Sequence, residues 1–179
     1  AFYYDFLCPW CWIGLRNLQR ALAQLKAEAP ALNVAWRSVS HQLLPNVPAE
    51  GLPYEAFYLA RLGSAEAVAA RRAQVVAAAQ AAGLQLNHAA ITRLPNTRLA
   101  HRLANAAQTG LTPEQHVALL DAVFAAYFQQ GVDIGDQQAL ATLARDKGVP
   151  DDAVQAAWGP AHQLNPQPHP VQGVPHVVF

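Results

Sequence analysis

The segment that decides the fold is Phe2-Tyr3-Tyr4-Asp5-Phe6-Leu7-Cys8-Pro9-Trp10-Cys11, followed by leucines at Leu15, Leu18, Leu22 and Leu25. Aromatic and apolar residues before Cys8 are typical of a buried strand, and the leucine spacing after Cys11 indicates a helix with one apolar face. Pro9 suits the first position of a helix, which makes Cys8 its N-cap residue. The sequence therefore predicts a strand that passes directly into a helix, with both cysteines of the chain at the junction.

The position of Cys8 predicts an acidic thiol. The N–H groups of a first helical turn lack partners within the helix, and together with the helix dipole they favour a thiolate. Cys8 is thus the expected catalytic nucleophile. Cys11, one turn further along, is expected to face the interior and to resolve a mixed disulfide formed on Cys8, so that the two cysteines form a redox disulfide.

A Cys-x-x-Cys pair can also supply half of a zinc site, which needs two further ligands. The chain has no other cysteine, and its seven histidines form no H-x-x-x-H or H-E-x-x-H pair. Pro9 and the apolar strand before it suit a helix start better than a zinc knuckle. We therefore expect redox chemistry, without a metal and without an external cofactor.

A second signal lies at the other end of the chain, where Gly173-Val174-Pro175-His176-Val177-Val178-Phe179 resembles a strand with a proline near its start. Proline cannot donate to a sheet ladder, so an edge position or a cis X-Pro bond is expected. Taken alone, the segment is better explained as a proline-closed loop before an ordinary strand.

Together, the Cys-x-x-Cys junction and the distant Gly-Val-Pro strand resemble the thioredoxin superfamily, and the long helical insert between them resembles its DsbA-like branch. More closely, four segments are similar to the polyketide-biosynthesis (frenolicin-type) DsbA-like oxidoreductases. They are Asp5 to Gly14, Gly51-Leu52-Pro53-Tyr54, Pro95 to Leu103, and Tyr127-Phe128 through Asp133-Ile134-Gly135-Asp136. The resemblance implies an α/β, thioredoxin-like fold with a large helical insertion.

The resemblance also implies roles for individual residues. Cys8 would attack, Cys11 would resolve, and Pro175 would be the cis-proline that faces them. Val174 would pair through its backbone with a bound peptide or thiol substrate. The segment containing Asn96 would face the active site, so we expect Asn96 to contact substrate, although a helix N-cap is its simplest role.

Three further residues have alternative interpretations. Trp10 is expected to be exposed, where it could contact substrate, but packing against the helical insert is an equally good alternative. Asp5 could relay a proton to Cys11, although a carboxylate that caps a nearby loop is the favoured interpretation. His176 would place a titratable group near the cysteines, or else point away from them.

The expected organisation is a split domain. Residues 1–47 and 165–179 would build the thioredoxin-like part, and residues 48–164 would form an inserted helical domain over Cys8. Helix starts are predicted at Ser64, Thr112 and Asp136, and a second strand over Val34–Val39. The proline-rich residues 165–170 would be extended, and the last strand and helix of a usual thioredoxin-like unit are missing from the sequence.

Composition limits the function classes. With 12 Lys+Arg against 12 Asp+Glu and no basic cluster, the chain lacks the charge that nucleic-acid binding requires. The alanine-rich segment near residue 70 contains charges, so no membrane-spanning segment is expected. No secretory signal precedes the first strand, which predicts a cytoplasmic protein.

The sequence therefore predicts a thiol–disulfide oxidoreductase that exchanges a Cys8–Cys11 disulfide with a substrate protein or a small-molecule thiol or disulfide, glutathione included. A homodimer is compatible with the sequence. The alternative is an enzyme like the kappa-type glutathione transferases and hydroxychromene carboxylate isomerases, which resemble this architecture but usually carry serine where Cys8 stands. A non-enzymatic binding module, such as a holdase, would not need an acidic Cys8.

Overall fold

The computed structural model describes residues 1–159, 164 and 171–178. These residues form seven helices: α1 (Pro9–Glu28), α2 (Tyr54–Leu62), α3 (Ala65–Ala81), α4 (Arg98–Ala107), α5 (Pro113–Phe128), α6 (Gln137–Asp146) and α7 (Asp151–Trp158). They also form five short strands: β1 (Phe2–Tyr4), β2 (Ser38–Ser40), β3 (Leu52–Pro53), β4 (Arg93–Leu94) and β5 (His176–Val177). Within this part of the chain, no helix combines the length and apolar character needed to cross a bilayer.

The main sheet has three strands in the order β2-β1-β5. Strand β2 runs parallel to β1, with Tyr3 opposite Val39, and α1 connects the two. Strand β5 runs antiparallel to β1 on its other side, with Tyr3 opposite His176. A β-α-β unit joined by a distant antiparallel strand confirms the expected α/β, thioredoxin-like fold with a large helical insertion.

The helix starts that the sequence predicts are confirmed. Ser64 Oγ accepts the Ala67 N–H at 3.1 Å at the start of α3, and Asp136 Oδ1 accepts the Ala139 N–H at 2.7 Å at the start of α6. Thr112 and Gln115 form a reciprocal capping box at the start of α5. Each side chain satisfies an N–H group that would otherwise lack a partner in the first turn.

The predicted strand over Val34–Val39 is wrong in its extent, because only Ser38–Ser40 pair with β1. Strand β1 has three residues, so it offers no partner to the segment before Arg37, whose carbonyl accepts the Phe2 N–H at 2.8 Å. The C-terminal strand is also shorter than predicted, at His176–Val177. Phe179 and the predicted extended segment 165–170 lie outside the described residues.

Strands β3 and β4 were not predicted from the sequence. They form a separate two-residue antiparallel ladder within the helical segment, with Leu52 opposite Leu94. The ladder joins the chain just before α2 to the chain just before α4. Backbone hydrogen bonds therefore hold the start of α2 close to the loop that precedes α4.

One apolar core runs through both parts of the chain. It unites β1 and α1 with the helices of the insertion, and its centre is a group of rings from Trp12, Phe124 and Phe128 that stack with centroids 6.2 to 6.4 Å apart. Burial of each large ring contributes about 1.5–3 kcal/mol relative to exposure. Helix α5 is therefore held firmly against the helix that carries the cysteines.

Candidate active site

The cysteines lie where β1 passes into α1, as the sequence predicts. Cys8 is the N-cap residue and Pro9 occupies the first turn. The Cys8 N–H donates to the Asp5 carbonyl at 3.0 Å, and the Cys11 N–H donates to the Cys8 carbonyl at 2.9 Å. The four residues between the strand and the helix therefore form a tight turn that fixes the position of the Cys8 side chain.

The two cysteines are free thiols with different environments. A hydrogen bond with the Cys11 thiol lowers the pKa of Cys8; burial opposes this, and the N–H groups of Cys11 and Trp10 reinforce it. Burial, together with the hydrogen bond and charge of Cys8, raises the pKa of Cys11. The pair can therefore hold one thiolate, and Cys8 carries it.

The expected acidity of Cys8 is thus present, but its main cause was not predicted. The sequence argument relied on the N–H groups of the first helical turn, whereas the neighbouring thiol has the larger effect. A thiolate that accepts a hydrogen bond from a second thiol is stabilised in the same way as one at a helix start. Cys11 is fully buried, at 0% exposure, as its place one turn into the helix predicts.

The C-terminal segment reaches the cysteines. The Cys8 thiol donates to the Val174 carbonyl oxygen with an S···O distance of 3.6 Å, and the Val174–Pro175 bond is cis. Gly14 of α1 makes this approach feasible, because a methyl group there would lie 3.2 Å from Cβ and 3.3 Å from Cγ of Pro175. The structure thus brings together Cys8, Val174 and Pro175, which sequence reasoning had grouped through family resemblance.

Trp10 is half-buried, which corrects the expectation of an exposed side chain. The Cζ atom of Arg71, from α3, lies 5.6 Å from the centroid of the Trp10 ring. A guanidinium group over an aromatic face is an attractive contact and shields that face from water. Packing against the helical insertion, the alternative noted above, therefore accounts for Trp10 in this structure.

Tyr58 of α2 is a neighbour of Cys8 that sequence reasoning missed. Burial raises the pKa of Tyr58, and the charge of Cys8 raises it further, whereas Arg61, Arg72 and Arg71 lower it. The rim beside Cys8 therefore combines aromatic side chains with guanidinium groups. Spacing along the sequence gives no signal for it, because the contributing residues lie on two different helices.

Asp5 is fully buried below the turn, at 0% exposure. Its carboxylate accepts the Leu7 N–H at 3.2 Å and the Leu43 N–H at 2.6 Å, which bears out the favoured interpretation as a loop cap. His101 Nε2, from α4, lies 3.2 Å from Asp5 Oδ1 and is also 0% exposed. The Asp5–His101 contact joins residues 96 positions apart and was not anticipated from the sequence.

Asn96 lies in the loop just before α4, whose N-cap position is taken by Thr97. Its carboxamide donates to the Val47 carbonyl and accepts the Arg98 N–H at 2.9 Å. Asn96 thus precedes the N-cap position by one residue, and its side chain holds two loops together. Its contact with substrate stays a prediction.

His176 is exposed on β5, and its ring lies edge-on to Tyr3 with a centroid distance of 6.0 Å.

Within the described residues, no group of three or more His, Cys, Asp or Glu side chains has the arrangement of a metal site.

Comparison with known proteins agrees with this geometry. A family model for the DSBA-like thioredoxin domain matches residues 1–164. The crystal structure of a probable DsbA oxidoreductase from Streptomyces coelicolor superposes with a TM-score of 0.76 at 27% identity, over 90% of this chain and 68% of that one.

A protein from Nitrosomonas europaea proposed to be a disulfide isomerase shares the fold, with a TM-score of 0.56 at 17% identity over 88% of this chain and 69% of that one. No curated protein matches the chain. The family match and the oxidoreductase neighbour support thiol–disulfide oxidoreductase activity in general. The chain belongs to the family of DSBA-like thioredoxin domains.

Proposed function

We propose that this chain exchanges a Cys8–Cys11 disulfide with substrate thiols or disulfides through a mixed disulfide on Cys8, as a protein disulfide oxidoreductase. The observation that carries the proposal is the geometry of the pair: Cys8 is the N-cap residue of α1 and lies 3.6 Å from the Val174 carbonyl oxygen, while Cys11 is fully buried one turn further along. The directions of the pKa shifts, lowered at Cys8 and raised at Cys11, agree with this geometry. A low pKa makes Cys8 both a ready nucleophile and a good leaving group. Cys11, which is buried and protonated, does not attack substrate first and resolves the mixed disulfide later.

In the oxidising direction, a substrate thiolate attacks the Cys8 sulfur of the disulfide, and Cys11 leaves as a thiolate that takes up a proton. A second substrate thiolate then attacks the substrate sulfur of the mixed disulfide and releases the Cys8 thiolate. The substrate loses two electrons and two protons, and the cysteine pair gains two electrons. The reverse sequence reduces a substrate disulfide, with Cys11 as the resolving thiol.

Substrate would bind beside Val174 and Pro175. In the dithiol form the Val174 carbonyl accepts a hydrogen bond from the Cys8 thiol. Once Cys8 carries a substrate sulfur, that carbonyl loses its donor and is free to accept an N–H group from the substrate backbone. Trp10 and Asn96 would extend the contact surface, and the described residues of the 48–164 insertion would form the opposite wall of the cleft.

The proposal also includes membership of the frenolicin-type branch of the DsbA-like oxidoreductases. The segments around Cys8, Pro95–Leu103 and Asp133–Asp136 support the frenolicin-type branch, with a protein or a small thiol such as glutathione as substrate. No external cofactor enters the exchange, because the two electrons pass directly between the substrate sulfurs and the sulfurs of Cys8 and Cys11. A cytoplasmic location is compatible with this chemistry, since a Cys-x-x-Cys pair in a reducing compartment is typically catalytic.

The test compares Cys8→Ser with Cys11→Ser, each serving as the matched control for the other. We expect Cys8→Ser to abolish insulin disulfide reduction and to form no adduct with glutathione disulfide. Cys11→Ser should form a stable one-to-one glutathione adduct, detected by mass spectrometry. If Cys8→Ser retained disulfide exchange, or conjugated glutathione to an electrophile faster than the unmodified chain, the glutathione-transferase alternative would replace this proposal.

A further inference from the structure

Asp5 makes four contacts that join three parts of the molecule: the turn of residues 5–8 (the cysteine turn), the segment after β2, and α4. The backbone carbonyl of Asp5 accepts the Cys8 N–H, and its side chain accepts N–H groups from Leu7 in the same turn and from Leu43 after β2. Its fourth contact is His101 of α4. Asp5 is therefore the point where the helical insertion meets the cysteine turn through a polar contact.

A buried carboxylate at this place acts on both sulfurs. Its negative charge opposes a second negative charge nearby, so it works against the hydrogen bond from Cys11 that lowers the pKa of Cys8. It also adds to burial in raising the pKa of Cys11. The ionisation of Asp5 therefore influences how readily Cys8 becomes a thiolate.

The ionisation of Asp5 in turn depends on its partners. Burial alone would raise the pKa of Asp5, but the hydrogen bond and charge interaction with His101, together with the Leu43 and Leu7 N–H groups, outweigh burial and lower it. The two N–H donors belong to the backbone and remain after most substitutions, whereas His101 is a side chain that can be replaced. The contact between His101 and Asp5 can therefore be removed by mutation.

His101 is placed for this one contact. Its ring packs against Tyr4 and Phe6, with centroid distances of 5.2 and 5.0 Å, and these contacts fix its orientation. Among the described residues, Nδ1 has no hydrogen-bond partner, and Nε2 is hydrogen-bonded to Asp5 Oδ1. A fully buried histidine that packs between aromatic rings and hydrogen-bonds one carboxylate has a specific polar role in addition to its packing.

We propose that His101 is a positioning residue of the redox pair: its Nε2–H donates to Asp5, keeps that carboxylate ionised beside Cys8 and Cys11, and so limits the acidity of Cys8. The inference rests on the proposed disulfide exchange and goes beyond it by assigning control of the redox poise to the helical insertion. Through Asp5, α4 makes the pair less oxidising than it would otherwise be.

The other titratable groups around Asp5 do not compete for this role. Tyr4 of β1 and Tyr127 of α5 are buried, and burial raises the pKa of each phenol, so both are neutral over the range in which Cys8 titrates. The two cysteines at the start of α1 are further titratable neighbours, and the charge of Asp5 acts on the pKa of each. His101 is the side chain that contacts the Asp5 carboxylate directly, so its replacement bears on the charge of Asp5.

The test uses Asp5→Asn, His101→Leu, His101→Gln and the double variant Asp5→Asn/His101→Leu. The Cys8 pKa is read from thiolate absorbance, and the equilibrium constant with glutathione gives the redox poise. Asp5→Asn should lower the Cys8 pKa and shift the equilibrium toward the dithiol by roughly tenfold, which corresponds to about 30 mV. His101→Leu should shift the Cys8 pKa and the equilibrium constant in the same direction. Without the hydrogen bond from His101, the Asp5 carboxylate takes up a proton more readily.

Two comparisons separate this role from a merely structural one. The double variant should match Asp5→Asn, because His101 acts through the carboxylate, and His101→Gln should restore values close to those of the unmodified chain, because it keeps an N–H donor. Circular dichroism and denaturation establish that each variant is folded. If Asp5→Asn does not fold, the pair His101→Leu and His101→Gln still decides.

The inference is overturned if His101→Leu leaves the Cys8 pKa unchanged or raises it, or if it shifts the pKa further in the Asp5→Asn background. Any of these results could occur while Cys8→Ser still abolishes disulfide exchange. The failure of this inference is therefore distinct from a failure of the proposed function.

Discussion

The Cys8 sulfur lies 3.6 Å from the carbonyl oxygen of Val174, a residue 166 positions later in the chain. The contact depends on β5, which pairs with β1 and brings Val174 and Pro175 back to the start of α1. The reactive sulfur and the backbone group proposed to bind substrate therefore belong to opposite ends of the described chain.

Gly14→Ala should disturb this contact. The added methyl group would lie 3.2 Å from Pro175 Cβ, which forces the C-terminal segment away from α1. Overpacking of this kind costs about 1–3 kcal/mol, against a gain of up to about 1 kcal/mol in helix propensity. We expect lower stability in urea and slower reaction of Cys8 with a peptide disulfide. Asn17→Ala, an exposed site on the same helix, is the control; an equal gain in stability in both variants would contradict the prediction.

Trp10→Ala should slow exchange with a peptide disulfide by roughly fivefold to tenfold, about 1 kcal/mol, if Trp10 contributes substrate contact. Exchange with a small neutral disulfide should change much less, because such a substrate does not reach the ring. The two second-order rate constants are compared by stopped flow. Trp158→Ala, on α7, controls for the loss of an indole elsewhere. Equal slowing with both substrates would indicate an effect on Cys8 itself.

Asp121→Ala should destabilise the junction between α1 and α5. Asp121 accepts the Trp12 indole N–H at 2.7 Å and pairs with Arg16 at 2.8 Å. Its removal leaves the buried indole N–H without an acceptor, at a cost of about 1–3 kcal/mol. Asp121→Asn keeps an acceptor and should lose less. Chemical denaturation measures both, and equal losses would show that the indole contact contributes nothing.

His116 should make stability depend on pH. Burial lowers its pKa from the ordinary 6.5 to about 4. Between these values the unfolded chain binds a proton that the folded chain does not, so the free energy of unfolding falls as pH is lowered through this window. The slope should approach about 1.4 kcal/mol per pH unit. His116→Gln retains a partner for Ser38, which lies 2.8 Å from His116 Nε2, and should flatten this slope.

Denaturation midpoints measured at intervals from pH 8 to pH 4 check this expectation. At pH 8 the imidazole is neutral in both states, so the values there give each variant its own baseline. An unchanged slope in the variant would mean that other groups produce the pH dependence in this window.

The features predicted correctly from the sequence are those encoded over a few neighbouring residues. Ser64, Thr112 and Asp136 mark helix starts because a cap acts on an N–H group two or three positions away. Cys8 at the N-cap of α1 was predictable from its neighbour Pro9, which suits the first position of a helix. The extent of the strand after α1 could not be predicted in this way. Its length is set by its pairing partner β1 and not by its own residues.

The site shows the same division. Cys8 and Cys11 are separated by only two residues in the sequence, and Pro175 was grouped with them only through family resemblance. Trp10 was expected to be exposed because nothing near it in the sequence indicates Arg71, which arrives on α3. The Asp5–His101 contact depends on the packing of α4 against β1, and no local pattern encodes it.

Strand β1 has a partner on each side, β2 and β5, and its side chains are fully buried. Backbone amides in such a position open only with the largest unfolding units of a protein, so the Tyr3 and Tyr4 amides should be among the slowest to exchange with deuterium. Cys8 follows this strand by four residues. Cys8, the proposed nucleophile, therefore lies at the edge of the region most resistant to opening, and the proposed disulfide exchange would need no local unfolding of the strand that precedes it.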